Sequence, residues 1–219
     1  MKYFDSHAHY YDERFSSECD MGVDNLLGSL FENNVSFIIN VGTSPETSKE
    51  AINQAKKYDN MYTAIGIHPS DARFLSDPER EIEEIKNLIL DKANKCVALG
   101  EIGLDYHYPD TNKEMQMRYF EGQMDLAEEL VKLGWYISFS GTISFTNARK
   151  PKEVAAVLPK DKVLIETDAP YLAPHPHRGT LNHSGKLEFT NRALSAVWGI
   201  SEEDCARITE ENAKRFFNL

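Results

Sequence analysis

The sequence begins Met1-Lys2-Tyr3-Phe4-Asp5-Ser6-His7-Ala8-His9. Side chains two apart on an extended strand point to the same side, so His7 and His9 can offer two imidazoles to one ion. An isolated His-X-His is also compatible with two surface histidines after a strand. Two later segments strengthen the metal reading. The apolar run Ala98-Leu99-Gly100 leads into Glu101, which glycines flank, and Leu164-Ile165 leads into Glu166-Thr167-Asp168. A carboxylate buried at a strand end needs a compensating partner, and a metal ion is a good one. His7, His9, Glu101 and Asp168 are therefore expected to converge on one metal centre. Two neutral imidazoles and two carboxylates suit zinc, manganese or a similar divalent ion, and Mg²⁺ combines less naturally with imidazole. Such a centre performs hydrolysis, because a bound divalent ion lowers the pKa of its water toward neutrality.

Other polar residues follow apolar runs in the same way. His68, in Gly66-Ile67-His68-Pro69, reads as a substrate contact or as a packed core histidine. Arg178, in Pro176-His177-Arg178-Gly179, has the planar fork that matches phosphate oxygens, and otherwise reads as a surface loop arginine. Tyr106 and His107 follow Glu101 and can stack on a substrate or hydrogen-bond to it. His175, His177 and His183 gather in the loop around Arg178 and read either as a second metal site or, lacking a carboxylate partner, as solvated loop residues.

These residues need a scaffold that brings strand ends together. Apolar runs at Lys2–Asp5, Ser36–Val41, Met61–Ile67, Cys96–Glu101, Trp135–Phe139 and Val163–Thr167 read as six strands. Helical stripes separate them. Val23, Leu26, Leu27, Leu30 and Phe31 form one. Ala51, Ile52, Ala55 and Tyr58 form another, after an N-cap at Ser44 and a proline at the first helical position. Asp77-Pro78 opens a helix burying Ile82, Ile85, Leu88 and Ile89. Phe120, Met124, Ala127 and Leu130 form a fourth stripe. A helix over Leu187–Trp198 stops at Gly199, and a capping box Ser201…Asp204 starts the last one. Alternating strands and helices imply a parallel sheet with helices outside and chemistry at the carboxyl ends of the strands.

The 219 residues, 41% hydrophobic, suffice for one substantial core, so a single domain over 1–219 is expected. A net charge of −11 suits an extended duplex-wrapping surface poorly, although metal ions and a few cations can still meet a nucleic-acid end. Cys19, Cys96 and Cys205 are odd in number and far apart, and they read as reduced, mostly buried thiols of a cytoplasmic protein. No apolar signal core or membrane-length run is present. No obligate protein partner is implied.

The runs FDSHAH, GIHPSDA, GEIGLDYHY, YISFSGTISF, ETDAPYLAPHPHRG and ITEENAKRFFNL, spread over the whole chain, resemble the TatD-type metal-dependent deoxyribonucleases. The resemblance implies a TIM-type (β/α) barrel of the metal-dependent hydrolase kind. It also implies one or two divalent ions (Mg, Mn, Zn or similar) and phosphodiester hydrolysis on DNA ends or oligonucleotides, often as an exonuclease. By match to the motifs, His7 and His9 bind the first metal, Glu101 bridges, and Asp168 is a ligand that also helps activate water. One departure is large. Family members carry two more strands, each ending in a histidine, before the YISF strand, whereas here Leu126–Leu130 runs straight into Val131-Lys132-Leu133. A closed barrel of this kind has eight strands in about 250 residues, and only six are visible. Two adjacent strands cannot leave a barrel without exposing two edges. A stretch is therefore expected to be missing near 130/131, marked by a spatial gap within Ala127–Leu133 wider than the ~3.8 Å between bonded Cα atoms. A chain that has truly lost both units keeps at most a one-ion site. Two rivals share the motifs: a carbonyl hydrolase of the amidohydrolase type, and a degenerate non-catalytic relative.

Overall fold

The computed structural model describes residues 2–104, 112–130 and 136–219. They group into two compact units, Met1–Ile39 with Trp135–Leu219, and Asn40–Gly134. In the first unit, strand β1 (Tyr3–Ala8) lies beside β2 (Val35–Val41), whose last two residues pass into the second unit. The Ser36 hydroxyl donates to the Tyr3 carbonyl at 3.0 Å across this pair. Strands β5 (Ile137–Phe139) and β6 (Val163–Ile165) pair in parallel with Ile137 opposite Val163, and Ala8 makes a parallel bridge to Ala169. Helices α1 (Glu13–Glu18), α2 (Val23–Asn33), α6 (Arg149–Val157), α7 (Leu187–Trp198) and α8 (Glu202–Phe217) complete the unit. Its core joins Tyr3, Val163 and Ile165 to Leu187, Leu194, Trp198 and Cys205. Full burial of such side chains contributes about 1.5–3 kcal/mol each. The Trp198 indole N–H is satisfied by the Ala155 carbonyl at 3.0 Å.

In the second unit, α3 (Pro45–Ala55) starts at the Ser44 cap, with Pro45 in the first turn. Next come β3 (Met61–Ile65), α4 (Pro78–Leu90), β4 (Cys96–Leu99) and α5 (Lys113–Leu130). β3 and β4 pair in parallel, with an irregularity between Thr63 and Ala64. Ile52, Ile65, Ile67, Ile85, Tyr119 and Leu126 form the core.

Several expectations need correction. β1 runs on through His7, because Tyr3 and Phe4 at its start and Ala8 at its end are all buried. β4 and β6 stop two residues earlier than expected, which leaves Glu101 and Asp168 in the turns beyond the strands. The helices α1 and α6 were not legible as separate stripes. Among the described side chains of α5, Gln116, Tyr119, Gln123 and Leu126 are buried and Phe120 is half-buried, while Met124, Ala127 and Leu130 of the expected stripe lie outside the described side chains. The two glutamines are buried because the loop beneath offers backbone groups to bind. Of the three cysteines only Cys205 is fully buried; Cys19 and Cys96 are half-buried. α5 is continuous through Ala127 to Leu130, and Val131–Leu133, the other half of the expected junction, lies outside the described residues.

Candidate metal centre

Asp5 is the buried foundation of the site. Its carboxylate is inaccessible to solvent and accepts four hydrogen bonds. The His7 and Thr167 backbone N–H groups donate to Oδ1 at 3.3 and 3.0 Å. The Thr167 and Ser184 hydroxyls donate to Oδ2 at 2.6 and 2.5 Å. Burial still outweighs these bonds and pushes the carboxyl up to about 6. Tyr10 locks Ser184 in turn: its hydroxyl accepts from the Ser184 N–H at 2.8 Å and lies 2.7 Å from Ser184 Oγ. Asp5 thereby ties the end of β1 to the turn after β6 and to the loop at 184.

That tie positions three donors. The Asp168 N–H donates to the His7 carbonyl at 2.9 Å, and the His9 N–H to the Ala169 carbonyl at 2.6 Å. Asp168 has φ +59, a left-handed conformation that aspartate tolerates better than most residues. His7 Nε2, His9 Nε2 and Asp168 Oδ1 then face one another. The two nitrogens are 3.0 Å apart, and the carboxylate oxygen is 3.7 Å from His7 and 3.5 Å from His9. Two imidazole lone pairs this close repel unless a proton or cation lies between them. The circle through the three atoms has a radius of about 2.0 Å, the bond length of a zinc-class ion to nitrogen or oxygen. The donor set therefore fits a divalent ion in both chemistry and spacing. His9 Nδ1 lies 3.2 Å from the Tyr11 hydroxyl, the kind of outer contact that fixes the tautomer of a metal-binding histidine.

Beside the Asp168 turn is a cleft of about 320 Å³ whose lining includes Arg14, Phe145, Pro170, Tyr171 and Arg178. Arg178 is exposed, with its guanidinium 4.4 Å from the centre of the Phe145 ring. Arg14 donates to the Pro170 carbonyl at 3.2 Å and to Glu18 at 2.7 Å. Sequence reasoning missed Arg14. Its signal was weak, since it sits in a short helix with no apolar stripe.

The second unit holds its own pair. His68 Nε2 lies 3.5 Å from Glu101 Oε1, with both side chains partly exposed. His68 Nδ1 accepts the Ser70 N–H at 3.1 Å, so in the neutral ring the proton sits on Nε2 and faces Glu101. Gln123 brackets Ile67, accepting its N–H at 2.7 Å and donating to its carbonyl at 3.1 Å, and Gln116 donates to the Pro69 carbonyl at 2.9 Å. Gly66 is required here: a Cβ on it would stand 2.7 Å from the Gly100 carbonyl carbon. Tyr106 lies outside the described residues. His175 is exposed, and His183 is partly buried with its pKa lowered to about 4, first by burial and then by Lys186 and His177. Among the described residues, His7, His9 and Asp168 are the group whose ligand atoms gather closely enough for an ion. No described helix is long and apolar enough to cross a membrane.

Comparison with known proteins places this architecture. The family model for TatD related DNase matches residues 4–133 and 117–218. The chain is 31% identical to the uncharacterized metal-dependent hydrolase YabD of Bacillus subtilis, over 260 aligned positions covering 99% of each chain. It is 28% identical to the uncharacterized metal-dependent hydrolase YcfH of Escherichia coli, covering 98% of this chain and 95% of that one. The crystal structure of YjjV, a TatD homologue from Escherichia coli, superposes with a TM-score of 0.85 at 22% identity, covering 99% of this chain and 98% of that one. A TatD family hydrolase from Entamoeba histolytica gives 0.80 at 19% identity, with the same coverage. The fold is thus the TIM-type barrel fold of these proteins; the six strands among the described residues fall into a four-stranded sheet, β1-β2-β3-β4, and a two-stranded one, β5-β6, and do not close a barrel. The chain belongs to the TatD related DNase family.

Proposed function

We propose that this chain is a metal-dependent hydrolase that cleaves phosphodiester bonds in DNA ends or oligonucleotides, acting as an exonuclease. The observation that carries the reading is the triangle of His7 Nε2, His9 Nε2 and Asp168 Oδ1, sized for one divalent ion. An ion bound there supplies an acidified water and a Lewis acid for a phosphoryl oxygen. Asp168 accepts the proton released on attack. Arg14 and Arg178, lining the cleft beside the Asp168 turn, neutralise charge on the other phosphoryl oxygens; this pair of cations favours a phosphodiester over an amide or lactone. Glu101 keeps the ligand role the family motif implies, and His68 and Tyr106 the role of substrate contacts.

We also propose that the two βα units absent between Ala127 and Leu133 belong to the complete domain. Two observations support this. The alignment with YabD needs 260 positions for a chain of 219 residues. The family model matches in two overlapping stretches instead of one. Restoring the units would return two strand-end histidines and room for a second ion.

The test is metal analysis and hydrolysis by the 219-residue chain, with a single-stranded oligonucleotide, a p-nitrophenyl ester and a lactone as substrates. The expected result is at least one ion per chain and cleavage of the oligonucleotide alone, both lost in a His7→Ala/His9→Ala variant. Turnover of the ester or lactone with the oligonucleotide untouched would replace this reading by a carbonyl hydrolase. Absence of both metal and turnover would leave a non-catalytic relative.

A further inference from the structure

A second depression lies in the same unit as the metal centre, along α7. It encloses about 630 Å³, the size of a site for a nucleotide-sized ligand, and its lining includes Ser144, Lys152, His175, Phe189, Arg192 and Val197. Its lining is mainly apolar, from Phe189, Ala193, Ala196 and Val197. Two cations stand over this floor in a chain whose net charge is −11. The Arg192 guanidinium lies over the Phe189 ring, 5.5 Å from its centre, while its Nε donates to Glu202 at 3.1 Å. His177 meets the same ring edge-on at 4.7 Å. The exposed Arg192 guanidinium thus rests against the half-buried Phe189 ring and backs onto it. Lys152 is anchored by donating to the Phe145 carbonyl at 3.2 Å.

The groove shares a wall with the cleft beside Asp168. Phe145, Ala173 and Arg178 line the cleft, and the neighbouring Ser144, His175 and Pro176 line the groove. The Ser144 hydroxyl accepts the His175 N–H at 2.8 Å and so pins that wall. The cleft and the groove are thus lined by residues close in sequence on the two sides of the Ser144–His175 bond.

We propose that this groove is a subsite for the single-stranded segment flanking the scissile phosphate. A base stacks on the Phe189–Arg192 surface, and Lys152 and Arg192 hold adjacent phosphates. Flat aromatic or guanidinium platforms beside cations are how proteins hold single strands without reading their sequence. The proposal rests on the nuclease reading for its function, but not for its measurement.

The experiment uses the 219-residue chain, its Phe189→Leu variant, which keeps bulk without a π face, and a Lys152→Ala/Arg192→Gln variant. Thermal unfolding checks that all three are folded. Binding of fluorescently labelled dT8 is followed by anisotropy without added metal. Each variant should weaken binding at least about fivefold, the low end for one base–aromatic stack. Loss of Lys152 and Arg192 should also flatten the salt dependence. With metal, kcat/KM for dT8 should fall by a similar factor, mostly through KM, while hydrolysis of bis-p-nitrophenyl phosphate stays within about twofold. Equal dT8 binding by wild type and variants, or none by wild type, overturns the groove whatever hydrolysis shows. Binding that weakens as expected, in a chain that hydrolyses neither phosphodiester, keeps the groove and sinks the nuclease reading.

Discussion

Each unit of the chain sets histidine beside carboxylate, and the two arrangements are held differently. In the first unit, His7, His9 and Asp168 are placed by cross-strand backbone bonds and by a fully buried Asp5 with four donors. Their ligand atoms lie within 4.8 Å of one another. In the second unit, His68 and Glu101 meet at 3.5 Å, and one His68 nitrogen already accepts the Ser70 N–H. The buried side chains that fix the His68 loop are the neutral Gln116 and Gln123. Residue type alone does not separate the two arrangements. What separates them is the number of donor atoms still aimed at one point and the cost of disturbing what aims them.

The largest effect should come from removing a donor in the first unit. His9→Ala or Asp168→Asn should weaken Zn²⁺ or Mn²⁺ binding by more than about 100-fold in calorimetric titration, beyond the usual effect of an outer-sphere change. His68→Ala should change it by less than about tenfold. Similar losses in the two units would erase the distinction. Next is Asp5→Asn, which presents an amide N–H₂ to groups that now donate to a carboxylate. It should weaken metal binding about 10–100-fold while the circular dichroism spectrum stays native. Unchanged metal affinity would reduce Asp5 to a packing role.

Smaller effects sharpen the contrast through stability. Gln123→Leu leaves the Ile67 N–H and carbonyl without their partner and should lower unfolding stability by about 1–3 kcal/mol in urea titration, with metal affinity unaltered. A change in metal affinity instead would mean that the Ile67 loop also sets the position of Glu101 as a ligand. The smallest concerns His183. Burial holds it at about 4, against 6.5 unperturbed. Between those values the unfolded chain binds a proton that the fold refuses, so stability drops as pH falls from 6.5 toward 4. His183→Asn should remove about 1–2 kcal/mol of that drop between pH 7 and 4.5. An identical pH profile of the melting temperature would show that His183 takes up its proton without penalty.

Much of this was readable along the chain because it is local. Ser44-Pro45, Asp77-Pro78 and Ser201 each begin a helix where capping chemistry requires, and Gly199 adopts φ +65 at the end of α7. The ligand motifs were equally legible, since His7 and His9 are two residues apart and Asp168 follows an apolar run. The buried glutamines of α5 were not legible, because Gln116 and Gln123 carry no apolar signal in a hydropathy pattern. Nothing local announces that two glutamines will find backbone partners about 50 residues upstream.

The sequence by itself determined where most helices begin and end, which residues carry ligand chemistry and which family the chain belongs to. Each of these depends on neighbours within a few residues or on the order of motifs. Tertiary structure alone decided that Asp5, a residue indistinguishable from a strand-end aspartate, is the buried acceptor for Thr167 and Ser184, more than 160 positions away. It also decided that His7, His9 and Asp168 meet at the spacing of a metal bond and that Arg14 lines the cleft with Arg178. The physical reason is common to all three. Hydrogen-bond and coordination geometry act over about 2–4 Å, and only the closed chain brings such distant residues within that range.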